Sequence, residues 1–280
     1  MAVTIDLSGY VAVVTGGTRG VGAGISRALL EAGADVVACA RRPPEQPVAA
    51  AGRTARFLPV DLRDPESVSA LFAQVKGEYG RLDTLVNNAG GTPYRLLGGG
   101  GGGGGGRGGG GGGGRGGHVD ADADARHAAR TIELNLITPL TASLAAYGLM
   151  REQERGGSIV MIGSVSGTRP SPGTAAYGAA KAGLENLARS LAVEWAPKVR
   201  VNTLVLGMVH TELSHLHYGD EDGIAAVGRT VPLGRLADPS EVGDACVFLT
   251  SDRAAYISGA ALPLHGGGER PAFLDAAAAN

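Results

Sequence analysis

The sequence has few cysteines, no long apolar run and no excess of either charge. Cys39 and Cys246 are its only cysteines and both lie in apolar stretches, which excludes a disulfide scaffold and predicts reduced, buried thiols. No uncharged apolar run reaches the roughly 18 residues of a membrane-spanning helix, so a membrane protein is excluded as well. The formal net charge is -2, from 25 Lys and Arg against 27 Asp and Glu. A general polyanion binder would carry a basic excess, so that class is not expected.

The first residues lack the basic segment and the following apolar segment of a secretory signal, and Asp6 lies among them instead. We therefore expect a cytoplasmic protein that does not attach to a membrane. Apolar residues make up 44% of the chain and charged residues 19%, which is typical of a globular fold. A single domain of 280 residues buries about three quarters of its unfolded surface, so one domain over residues 1–280 is predicted.

Glycine is the one residue type in clear excess. Of the 48 glycines, 18 fall within residues 98–117, where Arg107 and Arg115 are the only other residues. Glycine loses the most backbone entropy on folding and has no side chain to bury, so this tract is predicted to be a disordered loop insertion. RNA-binding glycine-rich segments usually carry many arginines with aromatic residues between them, and this tract has neither. We interpret it as an inert insertion, with contact to a nucleic acid or partner as the alternative, and expect no nucleic-acid partner.

Short apolar segments alternate with helix-like segments along the chain. The apolar segments are rich in Val, Ile or Leu and show little alternation, which indicates strands covered on both faces. The pairs Asp64–Pro65 and Asp238–Pro239 are typical helix starts, whereas the proline-rich residues 43–53 leave one crossover without a full helix. This alternation predicts an α/β fold with a doubly wound (Rossmann) parallel sheet and helices on both faces. The predicted strands are Tyr10–Thr15, Asp35–Ala40, Arg56–Val60, Leu82–Asn87, Ser158–Ile162 and Val199–Val205, and the predicted helices lie at about 20–32, 65–79, 121–153, 174–196 and 238–250.

A glycine-rich turn follows the first predicted strand and opens a helix. Gly16, Gly20 and Gly22 would let the backbone approach a pyrophosphate, and the helix N-terminus would supply N–H donors and a positive dipole. A tight turn without a ligand is the alternative. The position of the turn after the first strand of a βαβ unit favours a dinucleotide site.

Arginines replace the usual carboxylate at the end of the second predicted strand. An NAD-binding unit would offer Asp or Glu to the ribose there, but this chain has Arg41 and Arg42, and Arg19 in the glycine-rich turn could add a third cation. Guanidinium groups bind a 2′-phosphate that a carboxylate would repel. The sequence therefore predicts NADP(H) over NAD(H), unless these arginines only solvate a loop.

Tyr177 and Lys181 lie four residues apart and share one face of a predicted helix. A nearby ammonium favours the phenolate, which would lower the pKa of Tyr177 and make it a usable acid and base. Ser164 follows a predicted strand and could hydrogen-bond a substrate oxygen at the carboxyl ends of the strands. Asn135 is polar within an apolar stretch, which fits either a hydrogen-bonded core amide or an anchor for water leading to Lys181.

Together these motifs resemble those of the short-chain dehydrogenase/reductase family in order and spacing. The resemblance runs from about residue 7 to residue 267, except for the glycine tract. The matching positions are Thr15-Gly16-x-x-x-Gly20-x-Gly22, Asp61, Asn87-Asn88-Ala89-Gly90, Asn135, Ser164 and Tyr177-x-x-x-Lys181.

The resemblance implies a catalytic tetrad of Asn135, Ser164, Tyr177 and Lys181. Tyr177 would protonate a carbonyl oxygen held by Ser164 while nicotinamide delivers hydride, and Lys181 would bind the nicotinamide ribose. It also implies a homotetramer or homodimer, with the helices of Asn135 and Tyr177 at a subunit interface. The cofactor-binding positions predicted from the motifs and the resemblance are Gly16, Thr18, Arg19, Gly20, Val21, Gly22, Arg41, Arg42, Asp61, Leu62, Asn88, Ala89, Gly90, Tyr177, Lys181, Gly207, Val209 and Thr211.

Two positions depart from the family pattern. Leu206 stands where the family usually has proline before Gly207, and His265 stands where it often has aspartate before two glycines. The first departure loosens the turn that would meet the nicotinamide carboxamide, and the second changes a local contact near the C-terminus.

The sequence therefore predicts an NADP(H)-dependent oxidoreductase that interconverts a carbonyl and a secondary alcohol in a small molecule. An NADP-sensing protein without turnover is the alternative, although a sensor has no need of the tetrad, and an RNA-binding protein acting through the glycine tract is a third class. The segment at about 208–232 is interpreted as a polar lid over the substrate rather than a metal site, although it holds the three histidines His210, His215 and His217.

Overall fold

A parallel sheet of seven strands forms the centre of the computed structural model, which describes residues 4–91, 94–98, 120–269 and 271. The strands of the described chain are β1 (Val11–Thr15), β2 (Asp35–Ala40), β3 (Ala49–Ala50), β4 (Arg53–Thr54), β5 (Arg56–Pro59), β6 (Thr84–Asn87), β7 (Gly157–Ser164), β8 (Val199–Leu206) and β9 (Ala261–Leu264). Their order in the sheet is β5-β2-β1-β6-β7-β8-β9, while β3 and β4 form a separate antiparallel hairpin. The predicted doubly wound sheet is confirmed. Its order reverses between β1 and β6, where open α/β sheets bind their ligands.

Helices cover both faces of this sheet. Those of the described chain are α1 (Gly20–Glu31), α2 (Pro65–Tyr79), α3 (Ala121–Ile132), α4 (Thr138–Met150), α5 (Ala175–Glu194), α6 (His215–Tyr218), α7 (Glu221–Gly228) and α8 (Pro239–Thr250). The predicted helix starts are confirmed, because Asp64 accepts from the backbone of α2 and Asp238 forms a capping box with Glu241 on α8.

Two hydrophobic cores lie on opposite faces of the sheet, and β1 contributes to both. Ala12 and Val14 pack in the core under α1 and α8, whereas Val11 and Val13 pack in the core under α2, α4 and α5. Such strands carry apolar side chains at every position, which is why the sequence shows apolar runs rather than alternation. Both cysteines are free and buried as predicted, and burial raises the pKa of Cys39 to about 12.

The chain departs from the predicted elements in three places. The helix predicted over 121–153 is interrupted between α3 and α4 by a π-helical turn at Glu133–Ile137. The strand β9 was not predicted, because it has only four residues and includes Pro263, which the sheet tolerates at its edge. The crossover predicted to be degenerate at 43–53 contains the β3–β4 hairpin, with Ala51 and Gly52 at positive φ in its turn.

Asp124 ties together the two described ends of the glycine-rich insertion. Its Oδ1 accepts from Arg95 Nε at 2.6 Å, and its Oδ2 accepts from the Gly98 N–H at 2.9 Å. These hydrogen bonds, chiefly that of Gly98, lower the pKa of the Asp124 carboxyl. Apart from Gly98, the tract predicted at 98–117 lies outside the described residues.

Candidate active site

β1 runs directly into the glycine-rich turn that precedes α1. Gly16 and Gly20 have φ of +63° and +50°, a region that L side chains rarely adopt. A Cβ at Gly22 would lie 2.1 Å from the Gly16 carbonyl oxygen, so the close approach of the backbone requires this glycine too. Arg19, which precedes α1, provides no side-chain cap. The N–H groups of the first helical turn therefore need acceptors from outside the helix.

The segment after β6 fixes this turn through hydrogen bonds with Thr15. The Thr15 hydroxyl oxygen accepts from the backbone N–H of both Asn88 and Ala89 at 3.0 Å. In return, Asn88 Nδ2 donates to the carbonyl oxygens of Thr15 and Gly16 at 2.9 and 3.2 Å. The structure thus brings two of the sequence motifs together at the point where the strand order reverses.

Charged side chains gather at the carboxyl ends of β2 and β5. Arg63 binds Asp61 through two side-chain hydrogen bonds of 3.0 and 2.6 Å. The hydrogen bonds from Arg63, with a smaller contribution from the charge of Arg41, lower the pKa of Asp61 to about 2. Arg41 and Arg42 are exposed beside this pair. The edge that would meet the adenosine half of a dinucleotide therefore carries more positive than negative charge.

Ser164, Tyr177 and Lys181 meet at the carboxyl end of β7. Ser164 ends that strand, and its hydroxyl lies near the Tyr177 phenol. Tyr177 and Lys181 lie one turn apart on α5, with the Lys181 Nζ 5.5 Å from the centre of the Tyr177 ring. Lys181 is 4% exposed and donates to the Ile162 carbonyl oxygen at 2.7 Å. The structure therefore brings together the three side chains that the sequence predicts to share one site.

Burial shifts the pKa of both titrating groups, and that of Tyr177 in the direction opposite to the one the sequence predicts. It raises the pKa of Tyr177 above 10.0, and the opposing hydrogen bond of Ser164 does not reverse this. Burial also lowers the pKa of Lys181 to about 8. The expected lowering of the Tyr177 pKa by Lys181 is therefore not present in this structure, because desolvation of the phenolate outweighs the polar contacts.

Asn135 lies at the centre of the π-helical turn and is fully buried. Its Nδ2 donates to the carbonyl oxygens of Gly91 and Thr131 at 2.9 and 2.8 Å, and its Oδ1 accepts from the Gly91 N–H at 2.9 Å. A Cβ on Gly90 would lie 2.6 Å from Asn135 Oδ1 and 3.5 Å from Lys181 Nζ. Gly90 therefore lies beside both side chains, and a side chain at this position would collide with Asn135. Asn135 is thus a hydrogen-bonded core amide beside Lys181, and the water route remains a prediction.

The segment that follows β8 returns to the glycine-rich turn. Val209 forms a parallel bridge with Ala237, and Thr211 Cγ2 would lie 3.6 Å from a Cβ on Gly20. One residue further, Glu212 Oε1 accepts from the Gly20 N–H at 2.9 Å. A cavity of about 520 Å³ opens here, lined by Thr18, Arg19, Gly20, Ala23, Arg27, His210, Thr211, Glu212, His215, Glu221, Ile224 and Pro239.

The two departures from the family pattern lie side by side. Leu206 pairs with Leu264 across β8 and β9, and a Cβ on Gly207 would lie 2.8 Å from the Cβ of His265. Gly207 and His265 also line a second cavity of about 450 Å³, together with Val165, Thr168, Arg169, Met208, Gly268, Glu269 and Pro271. Ser164 pairs with Leu206 across β7 and β8, and the residue that follows each strand, Val165 and Gly207, lines this cavity. The cavity therefore begins next to Ser164.

Three residues of the site escaped the sequence reasoning. Thr15 belongs to the glycine-rich motif, but the motif alone does not reveal that its hydroxyl binds the Asn88–Ala89 segment after β6. Glu212 carries no local signal, because its position depends on a turn 192 residues away. Arg63 lies two residues after Asp61, and this Asp-x-Arg spacing is a local signal for their pairing. The remaining predicted residues Val21 and Leu62 pack partly buried against the two cores.

A nicotinamide dinucleotide fits the chemistry of this crevice. The glycines leave no side chain between the turn and α1, so backbone donors can reach a pyrophosphate. Guanidinium groups lie at the β2 and β5 end, while Tyr177 and Lys181 lie beyond the switch point at the β7 end. No helix in the described part of the chain combines the length and apolarity needed to cross a membrane. Within the same residues, no three His, Cys, Asp or Glu side chains gather as a metal site requires.

Comparisons with known proteins agree with this geometry. The family model for short chain dehydrogenase matches residues 10–221. An oxidoreductase of Mycobacterium tuberculosis, described as uncharacterized, is 34% identical over 267 residues, which cover 93% of this chain and 92% of that protein. The 3-oxoacyl-[acyl-carrier-protein] reductase FabG of Vibrio cholerae is 33% identical, over 94% of this chain and 98% of its own.

A solved structure shows the same fold over nearly the whole chain. The ligand-free aldohexose dehydrogenase of Thermoplasma acidophilum aligns with a TM-score of 0.79 and 27% identity, covering 95% of this chain and 96% of that one. The chain therefore belongs to the short-chain dehydrogenase family, whose members are oxidoreductases that interconvert carbonyl and alcohol groups with NAD(P)(H).

Proposed function

We propose that the protein reduces a small-molecule carbonyl to a secondary alcohol with NADPH, and that Tyr177 is the proton donor. The observation that carries this proposal is the position of Tyr177 near Ser164 at the end of β7, with Lys181 one turn away on α5 and its Nζ 5.5 Å from the centre of the Tyr177 ring. When bound, the nicotinamide would supply the hydride. Ser164 would hold the carbonyl oxygen and Tyr177 would donate its phenolic proton to that oxygen.

Lys181 supports the proposal through its position and charge. With a pKa of about 8 it remains a cation at neutral pH, close to the Tyr177 ring. A cation there stabilises the phenolate that forms as the proton leaves, and the raised pKa of Tyr177 keeps the proton in place until a substrate oxygen arrives. Asn135 and its clamp on Gly91 would hold the segment after β6 against α5.

The test is the removal of one hydroxyl. Tyr177→Phe should lower kcat by about 10²- to 10⁴-fold and leave the Kd for NADPH within twofold, because the ring and its packing remain. Tyr79→Phe is the matched control, since Tyr79 is a partly buried tyrosine on α2, and its kcat should stay within twofold. Activity of Tyr177→Phe within a few-fold of wild type would exclude Tyr177 as the proton donor.

The preference for NADPH rests on the cationic edge. Arg19, Arg41 and Arg42 are all exposed at the end of the crevice where the adenosine would lie, and Ala40 provides no carboxylate for a ribose. Arg41→Asp should therefore raise the KM for NADPH and lower that for NADH. Arg253→Asp makes the same charge change near the start of β1, at the opposite end of the sheet, and should shift neither value. Equal use of both coenzymes by the wild type would contradict the preference.

The substrate is best sought among the carbonyl compounds named for the relatives. A panel of 3-oxoacyl thioesters and aldohexoses, read by coenzyme absorbance in both directions, tests the two classes that those names provide. The second cavity offers apolar contacts from Val165 and Met208 beside the charged pair of Arg169 and Glu269, so it suits a substrate with an apolar and a polar part.

We also propose that the protein is a homodimer or homotetramer in the cytoplasm. Ile137 and Leu144 are 47% and 53% exposed on the π-helical turn and α4, and the π-helical turn packs against the helix that carries Tyr177. An assembly through this face would bury them. Light scattering during gel filtration measures the assembly, and Leu144→Glu should shift it toward monomer if the interface is correct.

A further inference from the structure

The carboxylate of Glu212 occupies a position that anionic ligands prefer. Its Oε1 accepts from the N–H of Gly20, the first residue of α1, at 2.9 Å. This helix has no side-chain cap from the residue before it, so Glu212 satisfies a donor that would otherwise need an acceptor. The positive end of the helix dipole favours the negative charge of Glu212 for the same reason that it favours a phosphate.

Glu212 is held there by an ordered turn. The Thr211 N–H donates to the Ser214 hydroxyl oxygen at 2.8 Å, and the Leu213 N–H donates to the Thr211 hydroxyl oxygen at 3.3 Å. On its N-terminal side the turn is anchored by the backbone bond from His210 to Ala237, 2.8 Å long. The contact with Gly20 is thus made from a segment with its own fixed geometry.

We propose that Glu212 is an internal competitor for the pyrophosphate, and that it couples cofactor binding to the position of the segment 208–218. This rests on the proposed function, since it assumes that a dinucleotide binds along the glycine-rich turn. Two negative groups cannot share the N-terminus of α1 without strong repulsion, so the carboxylate of Glu212 must leave Gly20 when the pyrophosphate arrives.

Release of Glu212 would reach the catalytic centre through α6. That helix begins three residues after Glu212 and ends at Tyr218, whose charge raises the pKa of the Tyr177 phenol. Glu212 is accordingly a positioning residue: without cofactor its bond to Gly20 holds the segment 208–218 against the glycine-rich turn, and the bound cofactor releases that segment.

The proposal is tested by the affinity for phosphate-bearing ligands. Glu212→Gln keeps the size of the side chain but removes its charge, so it should bind NADPH about fivefold more tightly than wild type in a fluorescence titration at low salt. Inorganic pyrophosphate, used as a competing ligand, should gain by a similar factor. Glu212 is exposed to solvent, so salt should screen its repulsion of the pyrophosphate. The gain in affinity for Glu212→Gln should therefore shrink in 0.5 M NaCl.

A matched control is available in the same cavity. Glu221 begins α7 and lines the cavity with Glu212, so Glu221→Gln makes the same charge change 9 positions further along. Its affinities for NADPH and pyrophosphate should stay within twofold of wild type. An equal gain from both variants would reduce the effect to net charge and overturn the proposal, as would unchanged or weaker binding by Glu212→Gln.

The outcomes also separate this proposal from the proposed function. Wild-type protein that binds neither NADPH nor NADH would refute the function, whereas normal binding without a gain in Glu212→Gln would refute only the competitor role. Thermal melting of each variant checks that the fold is unchanged. Hydrogen exchange should report faster exchange over 212–218 in wild type after NADPH addition and a smaller change in Glu212→Gln.

Discussion

A methyl group at Gly22 should separate the glycine-rich turn from α1. The Cβ of Gly22→Ala would lie 2.1 Å from the Gly16 carbonyl oxygen and 2.5 Å from Asn88 Nδ2, whereas real Cβ atoms keep at least 3.0 Å from such neighbours. The turn must therefore move by about 1 Å, because the closest atom belongs to the backbone and cannot rotate away.

The cost follows from two opposing contributions. Overpacking of this kind costs about 1–3 kcal/mol, while alanine in place of glycine within a helix gains up to about 1 kcal/mol. With the full gain the net loss is about 0–2 kcal/mol, which corresponds to a fall in Tm of up to roughly 8 °C. The same displacement misaligns the backbone donors of α1, so the affinity for NADPH should fall about tenfold or more.

Gly77→Ala provides the matched control for this experiment. Gly77 lies in α2 and a Cβ there would meet nothing within 4 Å, so only the helix-propensity gain of about 0.5–1 kcal/mol applies. Urea unfolding followed by circular dichroism measures both variants, and NADPH titration measures binding. A Gly22→Ala protein that melts at or above the wild-type temperature and binds NADPH normally would refute the reasoning from close approach.

Three further predictions follow from other parts of the molecule. Between pH 8 and 10.5 the unfolded chain holds a proton on Lys181 that the folded chain has lost, so this residue makes the free energy of unfolding rise with pH over that interval. Urea unfolding at several pH values should show this rise in wild type and a smaller rise in Lys181→Met. Identical slopes for the two proteins would contradict the prediction. Asp83→Ala should destabilise by about 2–4 kcal/mol in the same assay, because its buried carboxylate accepts from the Val11 N–H at 2.9 Å and pairs with the more exposed Arg81. A loss below about 1 kcal/mol would be too small for a buried, hydrogen-bonded carboxylate. Replacing residues 98–117 by about four Gly or Ser residues should leave kcat/KM within about threefold and the Tm equal or slightly higher, since a shorter loop loses less closure entropy; a tenfold loss in a folded protein would show that the tract is functional.

The sequence was sufficient for the parts of the fold that depend on local pattern. Five of the six predicted strands are covered on both faces and appear as apolar runs, whereas only Leu58 is buried in β5. Asp64 and Asp238 mark helix starts because capping needs only neighbouring residues. The strand β9 gives no such signal: it is short, pairs with one neighbour and contains Pro263. The π-helical turn was also invisible, because it accompanies the clamp of Asn135 on Gly91, a contact between distant segments.

The candidate site divides in the same way. Tyr177, Lys181, Ser164 and the glycine-rich turn were identified because their spacing is fixed by one helix, one strand end or one turn. The direction in which the Tyr177 pKa shifts could not be predicted, because it depends on burial, which the spacing of residues along the chain does not reveal. Nor could the bond from Gly20 to Glu212 be expected between segments so far apart in the chain.

The hydrogen bonds of Asp124 with Arg95 and Gly98, here called the Asp124 clamp, make the insertion a suitable site for inserting another protein domain. Gly98 is bonded to Asp124, and the described chain resumes at Asp120, one turn before it on the same helix end, so the entry and exit points lie close together. A guest domain whose own termini are adjacent could replace residues 99–119 without stretching the host. Gly173 accepts from the Arg95 N–H beside this clamp, so such a chimera would place a reporter next to the loop that precedes α5, the helix that carries Tyr177.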